Sequence, residues 1–155
     1  QLDVYIPLNT YNLVFCSIEV VEMAAPKHGR GYVYDLKYHL VWCVKYRKKV
    51  LVGPLEKDFK HIIRELCETH EMELLEMETD QDHVHLLLSC KPQHYIPDFV
   101  KTLKGQSARR LFKMHPTLKE QLWGGHLWNP SYFITSMSEN TQAQVKKYIR
   151  SQKEK

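Results

Sequence analysis

No C-x-x-C pair occurs in this chain. Its four cysteines, Cys16, Cys43, Cys67 and Cys90, lie more than twenty residues apart, so the sequence offers neither a zinc knuckle nor a dithiol redox motif. They read as reduced, mostly buried thiols of a cytosolic protein. No stretch reaches the roughly 18 apolar residues that a membrane-spanning helix needs. No internal repeat, low-complexity tract or Gly/Pro-rich linker divides the 155 residues, which leaves one domain and no array. The first 22 residues lack a basic n-region and a clean apolar h-region, which argues against a signal peptide.

What is present is ordinary in amount and uneven in placement. Hydrophobic residues make up 43% and charged residues 26%, enough for a packed core and against wholesale disorder. The net charge is only +4, but residues 99–155 hold 11 basic and 3 acidic side chains. That part therefore carries +8 and the remainder −4, an asymmetry that suits a polyanionic partner.

The hydrophobic pattern predicts a half-buried strand over 34–46, where Leu36, Tyr38, Leu40, Trp42 and Val44 alternate with other residues. Gly53-Pro54 then opens a helix predicted over 54–70, with Leu55, Phe59, Ile62, Ile63, Leu66 and Cys67 at helical spacing. Strands are predicted over 72–79 and 83–90, joined by Asp80-Gln81-Asp82. A second helix begins near Ile96 and must end at Pro116. A fourth strand is predicted over 127–137, and Asn140 can cap a terminal helix. The order β-α-β-β-α-β-α predicts an α+β fold: a ferredoxin-like split βαβ sandwich, with an antiparallel sheet, helices on one face and an extra C-terminal helix. Residues 27–155 form the single domain. Residues 1–26 are expected to be an N-terminal extension, upstream of a natural start at Met23 or poorly structured, with a strand over 14–21 as the alternative, and Ala24-Ala-Pro-Lys-His-Gly-Arg-Gly31 reads as a short polar leader into the domain.

Three features carry chemistry. His83 and His85 flank Val84 in a predicted strand, so both imidazoles share one face, and two imidazoles at that spacing can hold one metal ion. Taken alone, such a pair is more often just polar surface. Tyr148 and Gln152 lie four apart on the terminal helix, hence on one helical face. A phenol with pKa near 10 can attack phosphorus once a metal polarises the phosphate, although packing against the sheet is the commoner role of a helix tyrosine. Basic groups, Lys45, Arg47 and Lys48 after the first strand and Lys104, Arg109 and Arg110 around Ser107 in the second helix, suit phosphate contacts, with neighbouring aromatics able to stack on unpaired bases.

Five blocks in order carry a resemblance: Tyr38-His-Leu-Val-Trp-Cys-Val-Lys-Tyr-Arg47, Asp82-His-Val-His-Leu-Leu87, Leu103-Lys-Gly-Gln-Ser-Ala-Arg-Arg-Leu-Phe112, Leu122-Trp-Gly-Gly-His-Leu-Trp-Asn-Pro-Ser-Tyr-Phe133 and Val145-Lys-Lys-Tyr-Ile-Arg-Ser-Gln152. Together they make the chain, from about Gly31 to Gln152, resemble the single-tyrosine transposases of the HUH nuclease class, encoded by insertion sequences that move as single-stranded DNA. The resemblance implies that His83 and His85 are metal ligands, Gln152 the third ligand and Tyr148 the nucleophile. It implies a divalent cofactor, Mg²⁺ or Mn²⁺, a 5′-phosphotyrosine intermediate, and rejoining of ends by a 3′-hydroxyl without ATP. The implied partners are single-stranded DNA with hairpin ends and a second copy of the chain, a homodimer able to share its active sites, in a prokaryotic cytoplasm and on the nucleoid when acting. Lys45, Arg47, Lys48, Lys104, Ser107, Arg109 and Arg110 are the expected DNA contacts. Where some relatives carry Met-Pro, this chain has Asp80-Gln81, and the family's hinge glycines are absent from Ser136-Met-Ser-Glu-Asn140. The alternatives share the fold: a hairpin-binding regulator that does not cleave, or a domesticated relative that cuts repetitive palindromes.

Overall fold

The computed structural model describes residues 26–137 together with Arg150. In chain order it contains β1 (Lys27–Gly29), β2 (Tyr32–Tyr34), β3 (Leu36–Cys43), α1 (Gly53–Thr69), β4 (Glu73–Thr79), β5 (His83–Cys90), α2 (Ile96–Met114) and β6 (Phe133–Ser136). The four-stranded sheet runs in the order β4-β5-β3-β6 and every pairing is antiparallel. This is the split βαβ topology expected from the element order: each helix connects an edge strand to a central one, and β3 and β5 lie at the centre.

Both helices start where their sequences dictate. Gly53 takes φ +58°, a left-handed conformation that lets the extended Val52 turn into α1, and Pro54 sits in the first turn, where it has no intrahelical donor to lose. Pro97 plays the same part in α2, and Pro116 marks its end at His115. The buried residues of α1 are those predicted by spacing: Leu55, Phe59, Ile62, Ile63, Leu66 and Cys67. They meet Leu40, Trp42, Val84, Leu86 and Leu88 from the sheet and Phe99, Val100, Leu103 and Leu111 from α2 in one core. At its centre Phe59, Trp42 and Trp128 form a triangle of rings, with centroids 6.3 Å (Phe59–Trp42), 5.3 Å (Phe59–Trp128) and 5.8 Å (Trp42–Trp128) apart.

In β4 a bulge between Leu74 and Glu76 shifts the register, so that Leu74 pairs with Leu88 but Glu76 with Leu87. Without that extra residue Leu74 and Met77 would fall on opposite faces. With it both pack on the core, while Glu76 and Glu78 share the other face with His85.

The structure corrects three expectations. Strand β3 is not half-buried: Lys37, His39, Val41 and Cys43, on the face away from the helices, are buried as thoroughly as the core face, and so are His85, Leu87 and Ser89 of β5. The strand predicted over 127–137 is reduced to β6. Pro130 has no N–H to give a ladder, the Asn129 side chain turns back onto Ser131 N (3.0 Å) and Oγ (2.8 Å), and only Trp128 bridges to Val44. The segment before residue 31, read as a polar leader, contributes β1 to a small hairpin with β2, turned at Gly31 with φ +83°. The strand considered over 14–21 and the helix after Asn140 lie outside the described residues, apart from Arg150.

Phe59→Ala removes one corner of the aromatic triangle with Trp42 and Trp128. We expect a loss of about 3–5 kcal/mol in unfolding free energy, read as a lower denaturant midpoint with an unchanged m-value.

Candidate active site

The two histidines sit at the start of β5 because β5 has a fixed register against β3: His83 pairs with Cys43 and His85 with Val41. Alternation places both on the sheet face away from the helices while Val84 is fully buried in the core. Their rings lie 4.9 Å apart by centroid at an angle of 76°. The predicted shared face is therefore observed, though His85 is buried and only His83 keeps partial exposure.

Each imidazole is held by a different neighbour. His83 Nδ1 lies 2.6 Å from Asp82 Oδ1. Asp82 in turn accepts from Arg47, Nε to Oδ2 at 2.9 Å and Nη2 to Oδ1 at 3.3 Å. Burial alone would raise the Asp82 carboxyl, but the hydrogen bonds and charges of Arg47 and His83 outweigh it and hold the group below its ordinary range. His85 Nδ1 lies 3.1 Å from Nε2 of a third histidine, His39 on β3, with the two rings nearly parallel at 16°. Burial lowers His39 to about 4 and, with the repulsion of His83 and His39 added, lowers His85 to about 3. His39 and His85 are thus uncharged at neutral pH.

This donor set fits a divalent ion. With Nδ1 of each ring facing Asp82 or His39, a metal would be met through Nε2, and an uncharged imidazole is the ligating form. Among the described residues, Asp80, Asp82 and His83 also bring three candidate ligand atoms within 4.8 Å of one another. Asp82 is already committed to Arg47 and His83, which makes it a support for the histidine. Tyr148 and Gln152 lie outside the described residues. Between them in sequence, Arg150 is helical and its guanidinium reaches Glu76, on the same sheet face as His85.

The turn that delivers Arg47 is strained. Tyr46 and Arg47 both adopt positive φ, 58° and 53°, an uncommon conformation for non-glycine residues that surrounding contacts must hold. Here the Asp82 ion pair holds Arg47, and Tyr46 rests edge-on against Trp123 at 6.0 Å with Lys45 5.3 Å from its ring. Tyr46 is 50% and Trp123 76% exposed, so the pair offers aromatic surface on the turn that carries Arg47.

Two expected DNA contacts have their polar atoms engaged within the protein. Ser107 is fully buried and accepts a hydrogen bond from Trp128 Nε1 at 3.0 Å. Lys104 gives its ammonium to the carbonyl oxygens of Asn129 (2.5 Å), Pro130 (3.1 Å) and Ser131 (3.0 Å), and burial lowers it to about 8. Both pin the 128–131 segment onto α2. Of the other basic residues, Arg47 serves Asp82, Arg110 is paired with Glu65 at 2.9 Å, Lys48 and Arg109 are exposed, and Lys45 is partly so. Sequence reasoning assigned no role to His39, although its parity with Val41 on β3 puts it on the histidine face once the β3–β5 pairing is known.

An antiparallel split βαβ sheet with an H-x-H pair on a central strand is the frame of an HUH domain. The chain matches the family Transposase IS200 like over residues 32–152, and it belongs to that family of tyrosine transposases, whose work is DNA cleavage and strand transfer. It is 60% identical to the ISDra2 transposase TnpA of Deinococcus radiodurans over 129 residues, 83% of this chain and 92% of that one. It is 32% identical to the transposase for insertion sequence element IS200 of Salmonella typhimurium over 121 residues, 78% of this chain and 79% of the other. A crystal structure described as a transposase from Deinococcus radiodurans R1 superposes with a TM-score of 0.70 at 53% identity, covering 81% of this chain and 97% of that one. A REP-associated tyrosine transposase bound to a REP hairpin shares the fold, with a TM-score of 0.57 at 14% identity over 79% of this chain and 69% of that one. The described cysteines, Cys43, Cys67 and Cys90, are free and buried, and no described helix is long and apolar enough to cross a membrane.

Depressed histidine pKa values make the metal-free protein acid-sensitive. The unfolded chain takes up protons near 6.5, whereas His39 and His85 in the fold do so only near 4 and 3. Their contribution is fully present above pH 6.5 and is lost as the pH falls toward those values. We expect the denaturant midpoint to fall between pH 7 and pH 4.5, and the slope to flatten in the His39→Leu/His85→Leu double variant.

Proposed function

We propose that this transposase cuts and rejoins single-stranded DNA with Tyr148 as nucleophile, at a divalent-metal site that includes His83, His85 and Gln152. The observation that carries the reading is the pair of strand-borne imidazoles whose Nδ1 atoms are each engaged, one by Asp82 and one by His39. Residues 27–155 are the working unit, in keeping with a family match that runs from residue 32 to residue 152.

A bound Mg²⁺ or Mn²⁺ supplies the positive charge that polarises a scissile phosphate and stabilises the charge gathering on its oxygens. His83 and His85 would give nitrogen ligands and Gln152 an amide oxygen to such an ion. The Tyr148 oxygen bonds to phosphorus while the bond from phosphorus to the 3′-oxygen breaks. The phenol gives up its proton, the leaving oxygen takes one up, and the products are a 5′-phosphotyrosine and a 3′-hydroxyl. Because the ester bond is kept, a second 3′-hydroxyl can reverse the step and join new ends. Arg150, two residues after Tyr148 and two before Gln152, touches Glu76 on the histidine face, which supports docking of the helix there.

The substrate is a single strand with hairpin ends, a reading supported by the hairpin that the fold relative holds. Lys45, Lys48, Arg109 and Arg110 meet its phosphates, and Tyr46 and Trp123 stack on unpaired bases. The acting form is a homodimer in a prokaryotic cytoplasm, on the nucleoid when it works.

The deciding experiment is incubation with a labelled single strand carrying the element's end, with Mg²⁺ or EDTA, followed by a denaturing gel. We expect a metal-dependent covalent adduct that vanishes in Tyr148→Phe and in His83→Ala. Hairpin binding without an adduct would make the protein a non-cleaving regulator. Trp123→Ala should weaken single-strand binding by about 1–3 kcal/mol, measured by fluorescence anisotropy, with duplex affinity unchanged.

A further inference from the structure

His39 lies in the middle of β3, one residue from the fully buried Leu40 and paired in register with Leu87 and Thr135. A histidine there, 9% exposed, replaces an aliphatic side chain that would pack the same sheet face without a polar atom to satisfy. Its Nε2 meets His85 Nδ1 at 3.1 Å, with the two rings nearly parallel at 16°. Only one proton can lie between these two nitrogens. If it sits on His85 Nδ1, His39 accepts and His85 keeps a lone pair on Nε2. If it sits on His39 Nε2, His85 accepts at Nδ1 and carries its own proton on Nε2, where no ion can then bind.

We propose that His39 is a positioning residue that sets the tautomer of His85, accepting its Nδ1 proton so that Nε2 is left basic toward a divalent ion. His83 receives the same service from Asp82, whose carboxylate can only accept. The two ligands are thereby prepared by different means. An anion secured by Arg47 serves the partly exposed ring, and a neutral imidazole serves the buried one, where a lone carboxylate would need a cation to balance its charge. The inference rests on the reading of His83 and His85 as metal ligands, and it assigns His39 no contact with DNA or with the ion.

The test uses the whole chain. Long-range ¹H–¹⁵N spectra of the metal-free protein report the His85 tautomer, and titration with Mn²⁺ followed by electron paramagnetic resonance reports affinity. We expect wild-type His85 to carry its proton on Nδ1. His39→Phe should raise the Nε2–H population and weaken Mn²⁺ binding by roughly 10- to 100-fold. His39→Gln, which restores an acceptor, should recover most of the affinity. A wild-type His85 protonated on Nε2 would overturn the proposal even if no variant folds. So would a folded His39→Phe that loses thermal stability yet binds Mn²⁺ as tightly as wild type, the mark of a purely structural role. Equal Mn²⁺ affinity in wild type and His83→Ala would instead remove the metal site itself, and this inference with it, a failure told apart from that of the proposal by the indifference of binding to the loss of His83.

Discussion

The antiparallel pairing of β3 with β5 is the constraint on which everything else hangs. Its eight-residue register, from Leu36 opposite Cys90 to Cys43 opposite His83, places Leu40, Trp42, Val84, Leu86 and Leu88 under the helices. The same register sets His39, His83 and His85 together on the reverse face. A slip of one residue would turn the histidines into the core and Val84 and Leu86 out of it. Burial of the aliphatic set is worth far more than any polar contact here, so the core energetically enforces the geometry of the site. The ladder also continues past β3, where Val44 N donates to Asp82 O at 2.8 Å, which ties the basic turn to the strand that bears the histidines, and Lys45 N donates to Leu127 O at 2.8 Å, which ties it to the Trp128 segment.

That turn shows how a strained backbone is tolerated. Tyr46 and Arg47 at positive φ cost free energy, and what they obtain is a fork aimed at Asp82. Arg47, Asp82 and His83 then form a chain in which each member is oriented by the one before it. A second chain, from His39 to His85, runs through the interior of the same face. The site is thus braced from two sides, one solvent-facing and ionic, the other buried and neutral. Nearby, Lys104 and Ser107 spend their polar atoms on holding the Trp128–Ser131 segment against α2. That segment, in spite of its aromatic content, gave up strand geometry to Pro130.

Much of this was legible in advance. Helical spacing located α1 and α2, because each buries one stripe against a sheet and periodicity records that directly. The H-x-H pair was legible because strand alternation is a local property. The five sequence blocks pointed to the family, and the match over residues 32–152 bears that out. Less legible were features decided by neighbours. The burial of both faces of β3, the shortened β6 and the β1–β2 hairpin depend on what packs against each segment. Ser107 and Lys104 looked like surface contacts because a helix position says nothing of the loop that lies over it.

Sequence alone therefore determined the element types, the core stripes, the family and the placement of the H-x-H pair on one strand face, since each rests on local periodicity or on residues adjacent in the chain. The tertiary structure decided which side chains support that pair. Arg47 lies 35 residues from Asp82, and His39 46 from His85, and no local rule links positions so far apart. Only the pairing of β3 with β5, driven by burial of the aliphatic residues between them, brings those partners within hydrogen-bond reach.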